Sequence, residues 1–203
     1  MLDIFIDRQC GLAVYGAFFL LQPPITIVGM EDQFKHLDET AGSPKDSQRW
    51  NGEGRAPFQV LVLPFRLEGP NIQYAVFKRA DAAYWQFIAG GGEGRELPIE
   101  AARREAFEES AIPMTTPLFP LASRNTVPVL ELAGYLRWGP EVLVVPEYTF
   151  AVRILDIELR IGKEHSEYCW TEYETCREML HWDSNRNALH ELNHRVTHDM
   201  IFG

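Results

Sequence analysis

The chain has 203 residues, which suits one domain with or without an extension. Its residues are 46% hydrophobic and 12% aromatic, enough to build a sizeable core. The formal charge of −10 argues against nonspecific binding to nucleic acid or to a membrane surface, because both need a basic face. An acidic protein can still bind polyphosphates when divalent cations lie between the two negative partners.

The N-terminal segment contains a short apolar run from Cys10 to Leu21, followed by a Gln-Pro-Pro break. A membrane span needs about 20 apolar residues, so we predict instead a strand or short helix that packs on the domain. A secretion signal is the alternative, although the start MLDIFIDR lacks the positive charge typical of one. Met30 leaves open a downstream native start, and hence whether residues 1–29 belong to the native protein.

Residues 31–56 are polar and interrupted by glycine and proline, which indicates a linker. We therefore predict an N-terminal extension and linker over 1–56 and one folded domain over 57–203. The three cysteines, Cys10, Cys169 and Cys176, match no zinc or redox spacing. Their pattern predicts free thiols in a reducing compartment, which favours a cytoplasmic protein.

Apolar and β-branched stretches of the folded domain predict a series of strands. They lie over 58–67, 72–79, 85–91, 126–138 and 142–154. A turn over 69–71 joins the first two, and Gly139-Pro140 joins the last two. Pro146 inside the last strand indicates an edge position or a bulge. Pro113, Pro117 and Pro120 predict a loop after the central helix.

Three segments predict helices. Residues 98–110 form the central one, with Pro98 suited to the first turn. Residues 167–180 pass from a strand, ending near Trp170, into a second helix. Residues 184–196 form the last, with Ser184 as a candidate N-cap. Strands that flank one helix, with a helix closing the chain, predict an α/β fold around a mixed sheet.

The central helix carries three glutamates, Glu105, Glu108 and Glu109, at spacings that place them on one side. The other side, which can pack on the sheet, carries Ile99, Ala102, Ala106 and Phe107. Three such carboxylates favour bound cations, and oxygen ligands without His or Cys favour Mg²⁺, with Mn²⁺ possible, over zinc. The preceding glycines 90–92 let backbone approach a ligand closely. The alternative is a solvated, glutamate-rich helix face with no site.

The full spacing resembles the Nudix box. Its positions in this chain are Gly90, Glu96, Arg104, Glu105, Ala106, Glu108, Glu109 and Ile112. Ala111 departs from the pattern, because the family has there a glycine that would supply a left-handed helix C-cap. From about 57 to 198 the chain is also similar to the dihydroneopterin triphosphate pyrophosphatase branch of that family, which acts on dATP-type nucleotides too. The stretches that carry this similarity are 78–91, 163–170 and 182–189.

The resemblance implies an α/β/α sandwich and the Mg²⁺-dependent hydrolysis of a pyrophosphate bond. It implies that Glu105 and Glu109 are metal ligands and that Glu108 is a further ligand or pairs with Arg104. Arg104 and Glu96 would orient the helix and the glycine loop, and the Gly90 carbonyl would complete the coordination. It also places Glu164 at the metal site as a candidate base, with an exposed loop acid as the alternative reading.

The sequence indicates the substrate-binding residues less strongly than the metal ligands. Arg79 could meet phosphates, Trp85 could stack on a base or pterin, and Tyr148 could line the pocket. Asn185 could read a base edge, although a turn or N-cap role fits it equally. The expected substrate is a nucleoside triphosphate or dihydroneopterin triphosphate. The alternatives are a dinucleoside polyphosphate, ADP-ribose, a nucleotide sugar, or a noncatalytic module that senses a nucleotide. Family members are often dimers, so a homodimer is possible.

Overall fold

A computed structural model of the chain describes residues 52–132 and 138–201. The predicted apolar run at 10–21, Cys10 and nearly all of the predicted linker lie outside the described residues. The first strand begins at Arg55, three residues before the predicted Phe58. In the described residues, no helix has the length and apolar character needed to cross a bilayer.

Seven strands, one short 3-10 helix and three α-helices follow one another in the described chain. In order they are β1 (Arg55–Glu68), β2 (Asn71–Arg79), β3 (Trp85–Gln86), β4 (Ile88–Glu93), α1 (Pro98–Ser110), β5 (Leu118–Pro128), a 3-10 helix (Val129–Glu131), β6 (Val144–Arg153), β7 (His165–Thr171), α2 (Tyr173–Met179) and α3 (Asp183–Thr197).

The strands form one mixed sheet with the order β3-β2-β1-β6-β5, in which β4 also pairs with β1 and β7 with β2. β1 and β6 run parallel, whereas the other described pairs run antiparallel. Strand β1 is buried from Gln59 to Phe65, because helices cover both faces of the sheet. This explains its unbroken apolar sequence, since a strand covered on both faces needs no polar alternation.

Alternate residues of β1 point to opposite faces, and each face has its own helix partners. One face packs Val60 and Val62 against Ala102 and Ala106 of α1. The other face packs Leu61 and Leu63 against α2 and α3, through residues such as Leu189 and Leu192. The predicted α/β/α sandwich around a mixed sheet is thereby confirmed.

The predicted strand over 126–138 is wrong at 129–131, whereas 126–128 lie in a strand and 133–137 lie outside the described residues. Among the described residues, the strand that precedes β6 is β5, which ends at Pro128 and is followed by the 3-10 helix. Pro120 lies within β5, and not in the predicted loop. Proline is tolerated there because β5 is the last strand in the order and its register shifts between Pro120 and Arg124. The strand predicted over 142–154 is confirmed as β6.

Two details of the predicted helices are also wrong. Ser184 is the second residue of α3, and Trp182 takes the N-cap position. Phe107 is 51% exposed and does not pack on the sheet. It follows the buried Ala106 directly, and one residue turns a helix by about 100°, which carries Phe107 off the packed face. Pro98 lies in the first turn of α1, as predicted.

Candidate active site

The three glycines at 90–92 are required because side chains from other elements lie directly on β4. A Cβ at Gly90 would lie 1.9 Å from the carboxyl carbon of Glu105. At the next two positions it would lie 2.6 Å from the guanidinium carbon of Arg55 and 2.1 Å from the ring of Phe58. The glycine run therefore makes room for side chains from α1 and β1, and one of these is a predicted metal ligand.

Arg104 ties the start of α1 to the glycine strand, as predicted. Its Nε and Nη2 donate to the two carboxylate oxygens of Glu96, each at 2.9 Å. Nη2 also donates to the Gly91 carbonyl at 2.9 Å, and Nη1 donates to Glu105 at 2.8 Å and to Glu108 at 3.3 Å. The Arg104 guanidinium lowers the pKa of Glu96. Arg104 therefore contacts both Glu96 and Glu108.

Glu109 is the buried carboxylate of the site. It is 4% exposed, and its Oε2 has no hydrogen-bond partner. Burial, followed by the negative charges of Glu105 and Glu164, raises the pKa of Glu109 well above its ordinary value. The Nε2 atom of His165 lies 3.7 Å from Oε2, beyond hydrogen-bond distance. A buried oxygen without a partner is costly, and a cation could compensate it.

His165 is equally buried, and neither of its ring nitrogens has a hydrogen-bond partner. Burial first, and then the charge of Arg79, lower the pKa of His165 to about 4, so the ring is neutral at pH 7. Its ring lies 5.2 Å from that of Phe77. No signal in the sequence indicated that His165 would be buried beside Glu109.

The segment before β7 brings Glu164 and His165 to the end of α1. Gly162 donates its N–H to the Glu109 carbonyl at 2.8 Å, and a Cβ there would lie 2.7 Å from the Glu108 carbonyl oxygen. Arg160 donates to the carbonyl of the last helix residue at 3.0 Å. Helix ends leave carbonyls without partners, so this segment satisfies them while it positions its acids.

Ala111 takes the left-handed conformation at the end of α1, with φ +58°. Its N–H donates to the Phe107 carbonyl at 2.9 Å, and the next N–H donates to the Ala106 carbonyl at 3.3 Å. The backbone turn that the family's glycine would supply is thus present with alanine, at a cost in strain.

Arg79 lies at the end of β2 and is already bound to two carboxylates. It donates to Asp81 at 2.6 and 2.9 Å and to Glu164 at 2.7 Å. The Asp81 hydrogen bonds are the largest cause of the raised pKa of Arg79. Glu164 itself is more than half exposed, with a side-chain exposure of 57%. The ion pair between Arg79 and Glu164 therefore joins the residue predicted to contact phosphate to the residue predicted to act as the base.

A cavity of about 440 Å³ opens over these groups. Its lining residues are Arg55, Gln59, Arg79, Ala80, Asp81, Ala89, Gly90, Glu105, Glu131, Leu132, Lys163 and Glu164. The structure thus brings together four of the predicted residues: Gly90, Glu105, Arg79 and Glu164. The sequence reasoning did not single out Arg55 or Gln59, because both lie in the polar start of an apolar strand.

Three predicted substrate residues do not line this cavity. Trp85 is half-buried against the core. Tyr148 packs edge-on against Phe58 at 5.9 Å. Asn185 is buried, and its amide oxygen accepts the backbone N–H of Phe87 at 2.9 Å, so it joins α3 to the sheet.

The donor set fits a hard divalent cation, because it offers carboxylates and a backbone carbonyl without cysteine. Glu109 Oε2 has no partner, and Glu105 lies against Gly90. Arg104 engages Glu105 and Glu108, and no three His, Cys, Asp or Glu side chains in the described chain already form a metal-sized group. Arg104 contacts Glu105 through Oε1, so Oε2 of Glu105 could bind the cation while this ion pair is kept.

Comparison with known proteins supports one family. Residues 59–192 match the NUDIX domain family, which is more than half of the chain. A solved structure named as a NUDIX hydrolase from Listeria monocytogenes is 38% identical, with a TM-score of 0.66 over 72% of this chain and 98% of that one.

Two curated relatives are more distant. The dihydroneopterin triphosphate diphosphatase of Haemophilus influenzae is 24% identical over 133 residues, or 64% of this chain and 84% of that protein. An octanoyltransferase of Myxococcus xanthus is 30% identical over 133 residues, which cover 64% of this chain but only 35% of that protein. The domain match and the Listeria structure together decide the assignment: the chain belongs to the Nudix family, whose members are hydrolases that act on pyrophosphate bonds and use divalent metal ions.

Proposed function

We propose that the chain is a Mg²⁺-dependent pyrophosphohydrolase that cleaves a nucleoside triphosphate or dihydroneopterin triphosphate to the monophosphate and pyrophosphate. The observation that carries the proposal is the buried Glu109 carboxylate, whose Oε2 has no partner. It lies on the same helix as Glu105, which lines the cavity. A carboxylate in this state is a poor structural element and a good cation ligand.

Each residue has a proposed part in the reaction. Glu105, Glu109 and the Gly90 carbonyl would hold the metal, with Glu108 as a further ligand once Arg104 releases it. When bound, the metal supplies charge stabilisation at the phosphoryl oxygens and lowers the pKa of a bound water. Glu164, exposed at the cavity, would accept the proton of the attacking water on its carboxylate.

Arg104 and Glu96 contribute by position. Their two-pronged ion pair, together with the bond from Arg104 to the Gly91 carbonyl, fixes α1 against the glycine strand. Because Glu105 and Glu109, the proposed metal ligands, lie on α1, the contacts of Arg104 set the distance of these carboxylates from the cavity. Arg79 would release one of its carboxylate partners to meet a phosphate.

The substrate class rests on two observations. The cavity of about 440 Å³ falls within the range of about 300–1,000 Å³ that is usual for small-molecule sites. The Haemophilus relative is named as a dihydroneopterin triphosphate diphosphatase. A small molecule, and not nucleic acid or a membrane, is the proposed partner, given the acidic charge. We also propose a cytoplasmic location and a homodimer.

The test is release of pyrophosphate and phosphate from a substrate panel, with Mg²⁺ and with EDTA. The panel holds dihydroneopterin triphosphate, the eight common nucleoside triphosphates, ADP-ribose, a nucleotide sugar and a dinucleoside polyphosphate. We expect Mg²⁺-dependent pyrophosphate release from one triphosphate. Cleavage of ADP-ribose, a nucleotide sugar or a dinucleoside polyphosphate alone would correct the substrate. Nucleotide binding without any cleavage would instead favour the sensing module.

A further inference from the structure

Arg55 is a guanidinium in the cavity wall that forms no salt bridge within the described residues. It begins β1, lines the cavity and lies over Gly91. Its Nη2 donates to the side-chain oxygen of Gln59 at 3.2 Å, which is a neutral acceptor. Its Nε is buried and has no partner. Among the described residues, no carboxylate forms a salt bridge with it.

The other two arginines of the site differ in this respect. Arg79 is bound by Asp81 and Glu164, and Arg104 is bound by Glu96 and Glu105. A half-buried cation that lacks a counter-ion carries a desolvation penalty, and burial lowers the pKa of Arg55 accordingly. An anion in the cavity would remove that penalty.

The position of Arg55 is fixed before any ligand binds. Gly91 provides the space for its guanidinium, since a Cβ there would lie 2.6 Å from it. The indole N–H of Trp138 donates to the Arg55 carbonyl at 2.9 Å and holds the backbone. Gln59, a buried residue on the same strand, orients the Arg55 guanidinium by accepting its hydrogen bond. A guanidinium held in this way binds a phosphoryl group with little loss of entropy.

The carboxylates around Arg55 affect how strongly it can bind an anionic substrate. Glu105 and Glu164 both act on it electrostatically. If Glu105 binds a cation, as proposed above, its charge no longer balances Arg55, and the guanidinium gains affinity for an anion beside the metal. The group that fits is one phosphoryl unit of a chain whose next unit meets the metal carboxylates.

We propose that Arg55, oriented by Gln59, is a phosphate-binding residue of the cavity and holds one phosphoryl group of a linked di- or triphosphate. The identity of the anion rests on the proposed function. Arg55 is therefore a second phosphate ligand beside Arg79 and, unlike Arg79, needs no carboxylate partner to be released first. Substrates with a single phosphoryl group would lose this contact.

The experiment compares Arg55→Met and Arg55→Lys with wild type and with Arg177→Met, an exposed control on α2. Steady-state rates give KM and kcat on the cleaved substrate. Calorimetry with inorganic tripolyphosphate and Ca²⁺ gives Kd without a base or sugar. A charge-assisted hydrogen bond contributes about 1.5–3 kcal/mol, so we expect Arg55→Met to raise KM and Kd by about 10- to 100-fold.

Further readouts separate binding from structure. Arg55→Lys keeps the positive charge but loses the planar guanidinium, so it should recover part of the affinity. This variant also keeps the test informative if Arg55→Met does not fold. The melting temperature of Arg55→Met should not fall, because a buried charge without a counter-ion is removed. Arg177→Met should match wild type throughout.

The outcomes distinguish this inference from the proposed function. If wild type cleaves its substrate while Arg55→Met leaves KM and Kd within twofold, Arg55 is not a phosphate ligand and the function stands. A fall in kcat alone would also overturn the inference, because Arg55 would then act through Glu105. If wild type cleaves nothing but loses tripolyphosphate binding on substitution, the inference stands and the hydrolase proposal fails.

Discussion

Replacing Glu109 by glutamine should stabilise the metal-free protein while abolishing its activity. Burial, together with the charges of Glu105 and Glu164, raises the folded-state pKa of Glu109 above its unfolded value. The stability that this group contributes is therefore present at low pH and is lost as pH rises through the folded pKa. At pH 7, above the unfolded pKa, this buried carboxyl group with Oε2 lacking a partner opposes folding.

The size of the effect follows from that oxygen. A buried polar atom without a partner costs about 1–3 kcal/mol, and more when charged. The amide of glutamine is neutral, and a small shift would bring it within hydrogen-bond distance of His165 Nε2, which lies 3.7 Å from Glu109 Oε2. A gain of about 2 kcal/mol corresponds to a rise of about 4–8 °C in melting temperature for a domain of this size.

Magnesium should reverse the order of the melting temperatures of wild type and Glu109→Gln. A ligand present at 100 times its Kd stabilises the native state by about 2.7 kcal/mol, and wild type should gain this while Glu109→Gln gains little. Activity should fall by more than about 100-fold, because a metal ion supplies several kcal/mol of transition-state stabilisation and an amide binds it poorly.

The assay is a melting curve for each protein at pH 7 in EDTA and in Mg²⁺, with turnover measured in parallel. Glu178→Gln, an exposed substitution on α2, is the matched control and should leave all values unchanged. The reasoning is refuted if Glu109→Gln melts lower than wild type in EDTA and still shows the full Mg²⁺ shift. Near-normal turnover of the variant would remove Glu109 from the site.

Three further predictions concern residues that contact α1 or end it. Gly90→Ala should lower turnover by at least tenfold and reduce Mg²⁺ affinity in a titration, because its Cβ would lie 1.9 Å from the Glu105 carboxyl carbon. Ala111→Gly should raise the unfolding free energy in urea by about 1 kcal/mol without changing kcat, because alanine is strained at φ +58°. His165 has a folded pKa of about 4, below its unfolded value. Its contribution to stability should therefore be complete above about pH 6.5 and fall by about 3 kcal/mol toward pH 4, a loss that His165→Asn should lack in urea titrations.

The sequence predicted the parts of the site that are close in the chain. Arg104 and Glu96 are eight residues apart and meet because a helix begins between them, so their pairing followed from spacing. The strands with long apolar runs were predicted for the same local reason. By contrast, β5 reads LFPLASRNTVP, whose two prolines and polar centre do not indicate a strand, although it pairs with β6 in the fold.

The substrate residues show where local reasoning ends. Asn185 was a candidate for its chemistry, yet its amide oxygen is used by the Phe87 backbone, a contact between positions 98 residues apart. Arg55 was not a candidate, because an arginine at the start of a strand is ordinary until its lack of a counter-ion is known. Whether a polar group is satisfied depends on the tertiary fold, and this property separates binding residues from structural ones.

The end of α1 joins the stability of the fold to the chemistry of the site. The carbonyls of Glu109 and Ser110 need donors, and the N–H groups of Gly162 and Arg160 provide them. The same chain segment continues directly into Glu164 and His165, so the helix cannot be capped in this way without bringing a carboxylate and an imidazole to Glu109. The helix cap and the core packing of α1 thus offset the cost of burying Glu109, whose oxygen without a partner is the proposed ligand of a cation.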